Sequence, residues 1–212
     1  MKNSNLSSVP MIALAGNPNV GKSTIFNALT GLHQHTGNWS GKTVDLARGS
    51  CKIQNKLYSI VDLPGCYSLC STSREEEIAR DFLIQKNPQL VVIICDPVSL
   101  ERNLTLVLQI LRFTSHALLC INLMDQAKKR GIHISCEKLE KELQIPVIAI
   151  TARKKTDIAR LKLAIAQAVS KNTCACPKPP AIEAACQSAC ADYASLLYQK
   201  SCNQTPGKKL LL

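Results

Sequence analysis

The chain has 212 residues, with 26 lysines and arginines against 15 aspartates and glutamates, a formal net charge of +11. Its longest apolar runs fall well short of the roughly 18 residues that a transmembrane helix needs, so the sequence reads as a soluble chain rather than a spanning one. Eleven cysteines show no evident pairing framework and no signal-peptide pattern precedes them, which argues for reduced thiols in a cytoplasmic compartment.

Residues 11–15 form the first apolar run and read as a strand. It leads into Gly16-Asn17-Pro18-Asn19-Val20-Gly21-Lys22-Ser23, a G-x-x-x-x-G-K-S loop that opens a helical pattern. At that spacing backbone N–H groups wrap a β-phosphate, Lys22 reaches the β and γ oxygens, and the Ser23 hydroxyl is placed for Mg²⁺. The helix that starts at Lys22 turns its positive end toward the same phosphates. Asn17, Pro18, Asn19, Val20, Gly21, Lys22, Ser23 and Thr24 are therefore the expected phosphate-side contacts of a nucleotide.

Residues 45–53 are less apolar and read as an edge strand in a hairpin with the strand 57–61. That second strand runs straight into Asp62-Leu63-Pro64-Gly65. An aspartate there can hold a Mg²⁺-bound water, and a glycine three residues on can offer its N–H to the γ-phosphate. Ser73-Arg74-Glu75-Glu76 has the form of a capping box opening a helix. Two further strands are expected at 90–95 and 118–121, the latter ending in Asn122-Leu123-Met124-Asp125. The carboxylate of Asp125 can accept both N1–H and the 2-amino group of guanine, donors that adenine does not present together. Asn-x-x-Asp alone is a weak signal, but in series with the phosphate loop and Asp-x-x-Gly it becomes specific. The strand 147–150 ends in Thr151-Ala152-Arg153, where a backbone N–H can meet guanine O6, and Ile158, Leu161, Ile165 and Ala168 recur at helical spacing.

Short continuous strands alternating with helices predict an α/β fold of the P-loop GTPase kind over residues 1–170. The sheet is expected to be doubly wound and mostly parallel with one antiparallel edge strand, its motifs gathered at the carboxyl ends of the strands. Residues 171–180, with Pro177, Pro179 and Pro180, read as a linker. Residues 181–212 read as a short helical tail, with Ile182, Ala185, Cys186, Ala189, Cys190, Tyr193 and Leu197 on one face of a helix over 181–200. One amphipathic helix cannot bury its own stripe, so it packs on the nucleotide domain, joins a second copy in a homo-oligomer, or stays partly unfolded. Cys174, Cys176, Cys186 and Cys190 could supply thiolates to zinc or an iron–sulfur cluster, although Cys-x-Cys is tighter than usual zinc spacing and favours apolar packing. His33 and His35 read as solvated loop residues. Lys128-Lys129-Arg130 and Arg153-Lys154-Lys155 suit an anionic bilayer face and RNA equally.

The segment Gly37-Asn38-Trp39-Ser40-Gly41-Lys42-Thr43, taken with Asn19 and Asp62-Leu63-Pro64-Gly65-Cys66-Tyr67-Ser68-Leu69, resembles the cytoplasmic GTPase domain of the ferrous-iron transporter B family (FeoB). The resemblance covers residues 9 to about 170. It implies Mg²⁺-dependent GTP hydrolysis, with Lys22, Thr43, Gly65 and Asn19 serving the reaction and GTP or GDP as ligand. It further implies Ser23, Thr43 and, through water, Asp62 around Mg²⁺, and a K⁺ held by Asn19 with the carbonyls of Gly37 and Trp39. Guanine contacts fall to Asn122, Met124, Asp125, Thr151, Ala152 and Arg153. The implied setting is the cytoplasmic side of a bacterial inner membrane, next to a membrane-embedded transport domain whose iron uptake the switch controls, with no nucleic acid partner. Two positions depart from common GTPases. Cys66 stands where many carry a water-orienting glutamine and this family usually threonine, and Leu123 stands where a lysine stem usually lines the base, which predicts slow hydrolysis and fast GDP release. The rival is a ribosome-assembly GTPase, which shares the phosphate loop and the asparagine but carries an RNA-binding module that is not evident here.

Overall fold

The computed structural model describes residues 9–31, 34–39, 42–70, 73–170 and 187–204, with the backbone alone described at 34–39, 42–45, 187–189 and 204. The elements in chain order are β1 (Met11–Gly16), α1 (Lys22–Thr30), β2 (Gln34–Trp39), β3 (Lys42–Ile53), β4 (Lys56–Asp62), α2 (Arg74–Lys86), β5 (Leu90–Cys95), α3 (Leu100–Leu111), β6 (Ala117–Ile121), α4 (Met124–Lys129), β7 (Ile132–Ile134), α5 (Cys136–Leu143), β8 (Val147–Ala149), α6 (Lys155–Ser170), α7 (Gln187–Ser201) and β9 (Cys202–Gln204).

Seven strands form one sheet in the order β2-β3-β4-β1-β5-β6-β8. Strands β4, β1, β5, β6 and β8 run parallel, and β5 and β6 are buried along their whole length, which is why they read as unbroken apolar runs. Alternate side chains feed two cores. One face carries Ile12, Leu14, Ile60, Val92, Ile94 and Cys120 against Phe26 of α1 and Leu161 of α6. The other carries Ala13, Val61, Val91, Ile93 and Leu119 against Phe82 of α2 and Leu104 and Val107 of α3.

The edge differs from the expected arrangement. Strand β3 pairs antiparallel with β4 as anticipated, from Ala47 opposite Asp62 to Ile53 opposite Lys56. It is not the edge, because β2 pairs antiparallel along its other side. The unpaired N–H and C=O groups of a strand as long as β3 are a template for another strand, and the adjoining segment takes that place. Ala47 stands opposite the last residue of β4, so residues 42–46 and their partners in β2 overhang the carboxyl end of the sheet.

The tail packs back on the helices of the α/β fold. Helix α7 packs on α3, with Cys190, Ala194 and Leu197 fully buried in the same core as α2 and α3. The Ser195 hydroxyl donates to Glu101 of α3, and the Lys200 ammonium meets Glu142 of α5 at 3.1 Å. Strand β9 then pairs antiparallel with β7, joining the end of the described chain to the segment after α4. Of the stripe foreseen, Cys190 and Leu197 are covered within the chain and Tyr193 packs against the same core, with Ala194 buried beside them, so packing on the rest of the chain is the outcome among the three expected. The expected helix begins at Gln187 in the described residues, and Ile182, Ala185 and Cys186 lie outside them, as do Cys174 and Cys176. Among the described residues no group of histidines, cysteines and carboxylates could hold a metal ion, and no helix is long and apolar enough to cross a membrane.

Candidate functional site: a phosphate cradle and a base pocket

The sequence treats its helix starts unequally. Helices α2 and α5 are capped by Ser73 and Ser135, whose hydroxyls accept from Glu76 N at 3.2 Å and Lys138 N at 3.3 Å, and both have glutamates in the first turn. Helix α1 has neither a side-chain cap nor an acidic first turn. Its positive end is left for an external anion, at the carboxyl end of β1 where the phosphate loop emerges. Gly21, the cap residue, has φ 85° and lies against Asn122, so a Cβ there would come within 2.4 Å of the Asn122 Nδ2.

Lys22, Ser23 and Asp62 are brought together. The Lys22 Nζ lies 2.6 Å from Asp62 Oδ1, both side chains largely buried, and the Ser23 hydroxyl also bonds that carboxylate. Burial pushes the Asp62 carboxyl above its ordinary range, and Lys22 and Ser23 pull against that rise. A hydroxyl beside a carboxylate is the oxygen donor set that a hard cation such as Mg²⁺ takes, so these residues fit the ion. Thr43, at the start of β3, lies in the hairpin that overhangs this end of the sheet. Gly37 and Trp39 lie in β2, with β3 and β4 between them and β1. Both belong to the part of β2 that overhangs the carboxyl end of the sheet, the end at which Asn19 is exposed in the phosphate loop with φ 65°.

The segment after Asp62 runs along the phosphate loop. Leu63 N donates to Leu14 O at 3.0 Å and Cys66 N to Gly16 O at 3.4 Å, while a Cβ on Gly65 would sit 3.2 Å from the Pro18 backbone. The chain then turns onto α3: Leu69 N donates to Gln109 Oε1 at 2.8 Å, and the Arg102 guanidinium stacks 4.0 Å from the Tyr67 ring centroid. Gln109 and Arg102 were not foreseen, since nothing in a helix 40 residues away marks which polar side chain will meet this loop.

Asn122 ties the base pocket to the phosphate loop. Its Nδ2 donates to Val20 O at 3.0 Å and its Oδ1 accepts from Ala152 N at 3.0 Å, with the side chain wholly buried. One amide thus joins the loops at residues 20, 122 and 152. Leu123 adopts φ 58° and turns the chain into α4, so that Met124 N reaches Ile150 O at 3.2 Å and Asp125 sits in the first helical turn. The buried Oδ1 of Asp125 has no hydrogen-bond partner. Thr151 N donates to Asp157 Oδ2 at 2.8 Å, which holds the loop of Thr151, Ala152 and Arg153 against the start of α6. Asp157 was missed, although an acidic residue opening a helix after such a loop is a readable signal. Two cavities of about 450 and 440 Å³ lie elsewhere, at the amino ends of the strands beside Leu118 and Val147 and beside Met11 and Gln89.

Cys66 is buried, and desolvation, with Glu76 adding to it, pushes its thiol up to about 12. It is expected to be alkylated at least about a hundredfold more slowly than exposed Cys70 near neutral pH, as judged by peptide mass spectrometry of a time course. Equal rates would show that the segment after Asp62 opens readily.

The family model for ferrous iron transport protein B matches residues 10–165 of the chain. The chain belongs to the FeoB family. It is 40% identical over 166 residues to the Fe(2+) transporter FeoB of Helicobacter pylori (strain J99 / ATCC 700824), a match covering 77% of this chain and 26% of that protein. To the Fe(2+) transporter FeoB of Escherichia coli (strain K12) it is 40% identical over 158 residues, covering 73% of this chain and 20% of that one. The chain thus spans about a quarter or less of the length of these FeoB relatives. Among solved structures it is similar to the FeoB G-domain from Methanococcus jannaschii, with 47% identity, a TM-score of 0.68 and coverage of 77% and 99% of the two chains. It is also similar to the cytosolic domain of the T. maritima FeoB iron transporter in a GDP form, with 27% identity and a TM-score of 0.83 over 92% and 100% of the two chains. The α/β fold and the FeoB-type G domain foreseen from the motifs are both found, and the family shown is FeoB and not that of the ribosome-assembly GTPases.

Proposed function

We propose that this chain binds guanine nucleotide with Mg²⁺, hydrolyses GTP, and so switches a ferrous-iron transport protein from the cytoplasmic side of the inner membrane. The observation that carries the reading is the convergence, at one end of the sheet, of an uncapped α1, the Lys22–Ser23–Asp62 cluster and a base pocket with a buried, unpartnered Asp125 oxygen. FeoB relatives in GDP and GMPPNP forms support the nucleotide class. Residues 1–170 act as the nucleotide domain, 171–180 link it to the tail, and 181–212 carry the output toward a membrane-embedded transport domain. Self-association through the tail is left the faces outside the covered stripe, such as exposed Leu196.

Asn17 to Thr24 surround the phosphates, and Lys22 exchanges Asp62 for the β and γ oxygens. Ser23, Thr43 and, through water, Asp62 hold Mg²⁺, which when bound neutralises charge on the phosphates. Gly65 turns its N–H to the γ-phosphate, and its release after hydrolysis relaxes the segment that rests on Gln109 and Arg102. Cys66, protonated and buried, cannot serve as a base, so the attacking water is placed by backbone groups and turnover is slow. Asn122 shapes the pocket and Asp125 reads guanine N1 and the 2-amino group. Met124 and the loop of Thr151, Ala152 and Arg153 border the base, with Leu123 in place of a retaining lysine.

Potassium enters on the strength of the family motif, held by Asn19 with the backbone carbonyls of Gly37 and Trp39, which lie in the hairpin that overhangs the same end of the sheet. Steady-state GTP hydrolysis with Mg²⁺, in potassium and in sodium at equal ionic strength, tests the whole reading. Stimulation by potassium of about tenfold or more, lost in Asn19→Ala, is the expected result. Equal rates in both salts remove potassium from the mechanism, and absence of any GTP binding or turnover overturns the function.

A further inference from the structure

Asn17 presents an unmet chemical demand. It is 3% exposed, and neither its side-chain nitrogen nor its side-chain oxygen has a hydrogen-bond partner. Buried amides are almost always paired, because leaving both ends unsatisfied costs their desolvation without return. An unpaired amide held in the phosphate loop points to another arrangement in which the group is used. Its neighbours on both sides touch one segment: Gly16 O accepts from Cys66 N at 3.4 Å, and the Pro18 backbone lies 3.2 Å from the Cβ position of Gly65. Asn17 therefore sits in the seam between the phosphate loop and the residues after Asp62, at the point where those residues must shift if Gly65 N is to reach a γ-phosphate.

We propose that Asn17 is a positioning residue for the triphosphate state, its amide closing onto the Pro64–Cys66 backbone when Gly65 turns inward. The proposal deepens the guanine-nucleotide reading above and rests on it. The Asn17 Nδ2 donates to a carbonyl of that segment once the Gly65 N–H is drawn to the phosphate, and the peptide that carries Gly65 is held in its catalytic orientation. With diphosphate bound there is no pull on Gly65 and the amide stays unpaired. Asn17 thus discriminates the two nucleotide states without lying in the base pocket or replacing Lys22.

The test compares wild type with Asn17→Leu, which keeps the volume and removes both polar atoms, and with the smaller Asn17→Ala. Calorimetric affinities for GDP and for GMPPNP are measured, along with kcat, KM and the melting temperature without added nucleotide. The expected pattern is a melting temperature in Asn17→Leu no lower than wild type. Affinity for GMPPNP falls about three- to tenfold more than affinity for GDP, and kcat falls more than KM rises. A lower melting temperature with equal losses for both nucleotides overturns the proposal, because it assigns Asn17 to holding the loop together. Should the variants fail to fold, the side-chain amide of Asn17 in ¹⁵N-labelled wild type decides: protection from solvent exchange with GMPPNP and not with GDP supports the proposal, and equal protection overturns it. Failure of wild type to bind either nucleotide would bring down the guanine reading itself, whereas normal wild-type binding with unchanged discrimination in the variants brings down only the role of Asn17.

Discussion

Lys22→Ala is expected to lower kcat/KM for GTP by about 10²–10³-fold or more and, independently of nucleotide, to lower the melting temperature in a pH-dependent way. The second effect comes from Asp62. Lys22 and Asp62 pair at 2.6 Å with side chains only 11% exposed, so removing the ammonium leaves a buried carboxylate without its counter-charge. Burial already holds the Asp62 carboxyl above its usual range despite Lys22. A folded-state value above the unfolded one means that the native protein binds the extra proton between the two. Stability therefore falls as pH rises through that window. Without Lys22 the window extends upward. The deficit of Lys22→Ala relative to wild type should be small in acid, below the unfolded carboxyl value, and complete once Asp62 is ionised in the folded state. Adding Asp62→Asn should recover much of it. Thermal melts across pH, in a double-mutant cycle, check this. A deficit that does not change with pH would show that the loss is one of packing and not of charge.

Asp125→Asn is expected to weaken GDP binding by about 10²–10⁴-fold and to gain binding of the xanthine analogue. Two charge-assisted hydrogen bonds to a buried carboxylate contribute about 1.5–3 kcal/mol each, and the asparagine amide offers guanine a donor where it needs an acceptor. Xanthine replaces the 2-amino group by a carbonyl, so the same amide suits it. Competition binding with GDP, XDP and ADP measures the change. Retained preference for GDP in the variant would place base recognition elsewhere. The Oδ1 of Asp125 has no partner to lose and the buried bridge through Asn122 does not involve it, so the loss should not spread to the phosphate loop.

The parallel strands were legible because each is a short apolar run between turn residues, and burial on both faces is what makes a strand read that way. Ser73 was legible as a cap, and its hydroxyl does accept from Glu76 N. By contrast, β2 carries Gly37 and Asn38, poor strand formers, and is a strand only because β3 offers it a paired edge. β7 and β9 are three residues each, and their pairing joins positions some seventy residues apart that share no local pattern. At the site, the motifs singled out Lys22, Ser23, Asp62 and Asp125, and the structure brings the first three together and leaves a buried oxygen of the fourth unpartnered. What could not be read was which side chains hold the loops around them, at Tyr67, Leu69 and Thr151. Gln109, Arg102 and Asp157 act through contacts that tertiary structure alone creates.

Helix α3 has eight of its twelve residues buried, more than a helix leaning on a sheet from outside requires. It is an interior helix, roofed by α7. A shortened chain ending at residue 170 would keep every nucleotide motif and yet bare the outer side of α3 to water. Such a chain should be colloidally poor, clumping at concentrations where the full sequence stays dispersed, and its turnover would have to be read on a population already lost in part to aggregates. Light scattering against concentration for the two lengths would reveal how far the tail serves as a solubility shield.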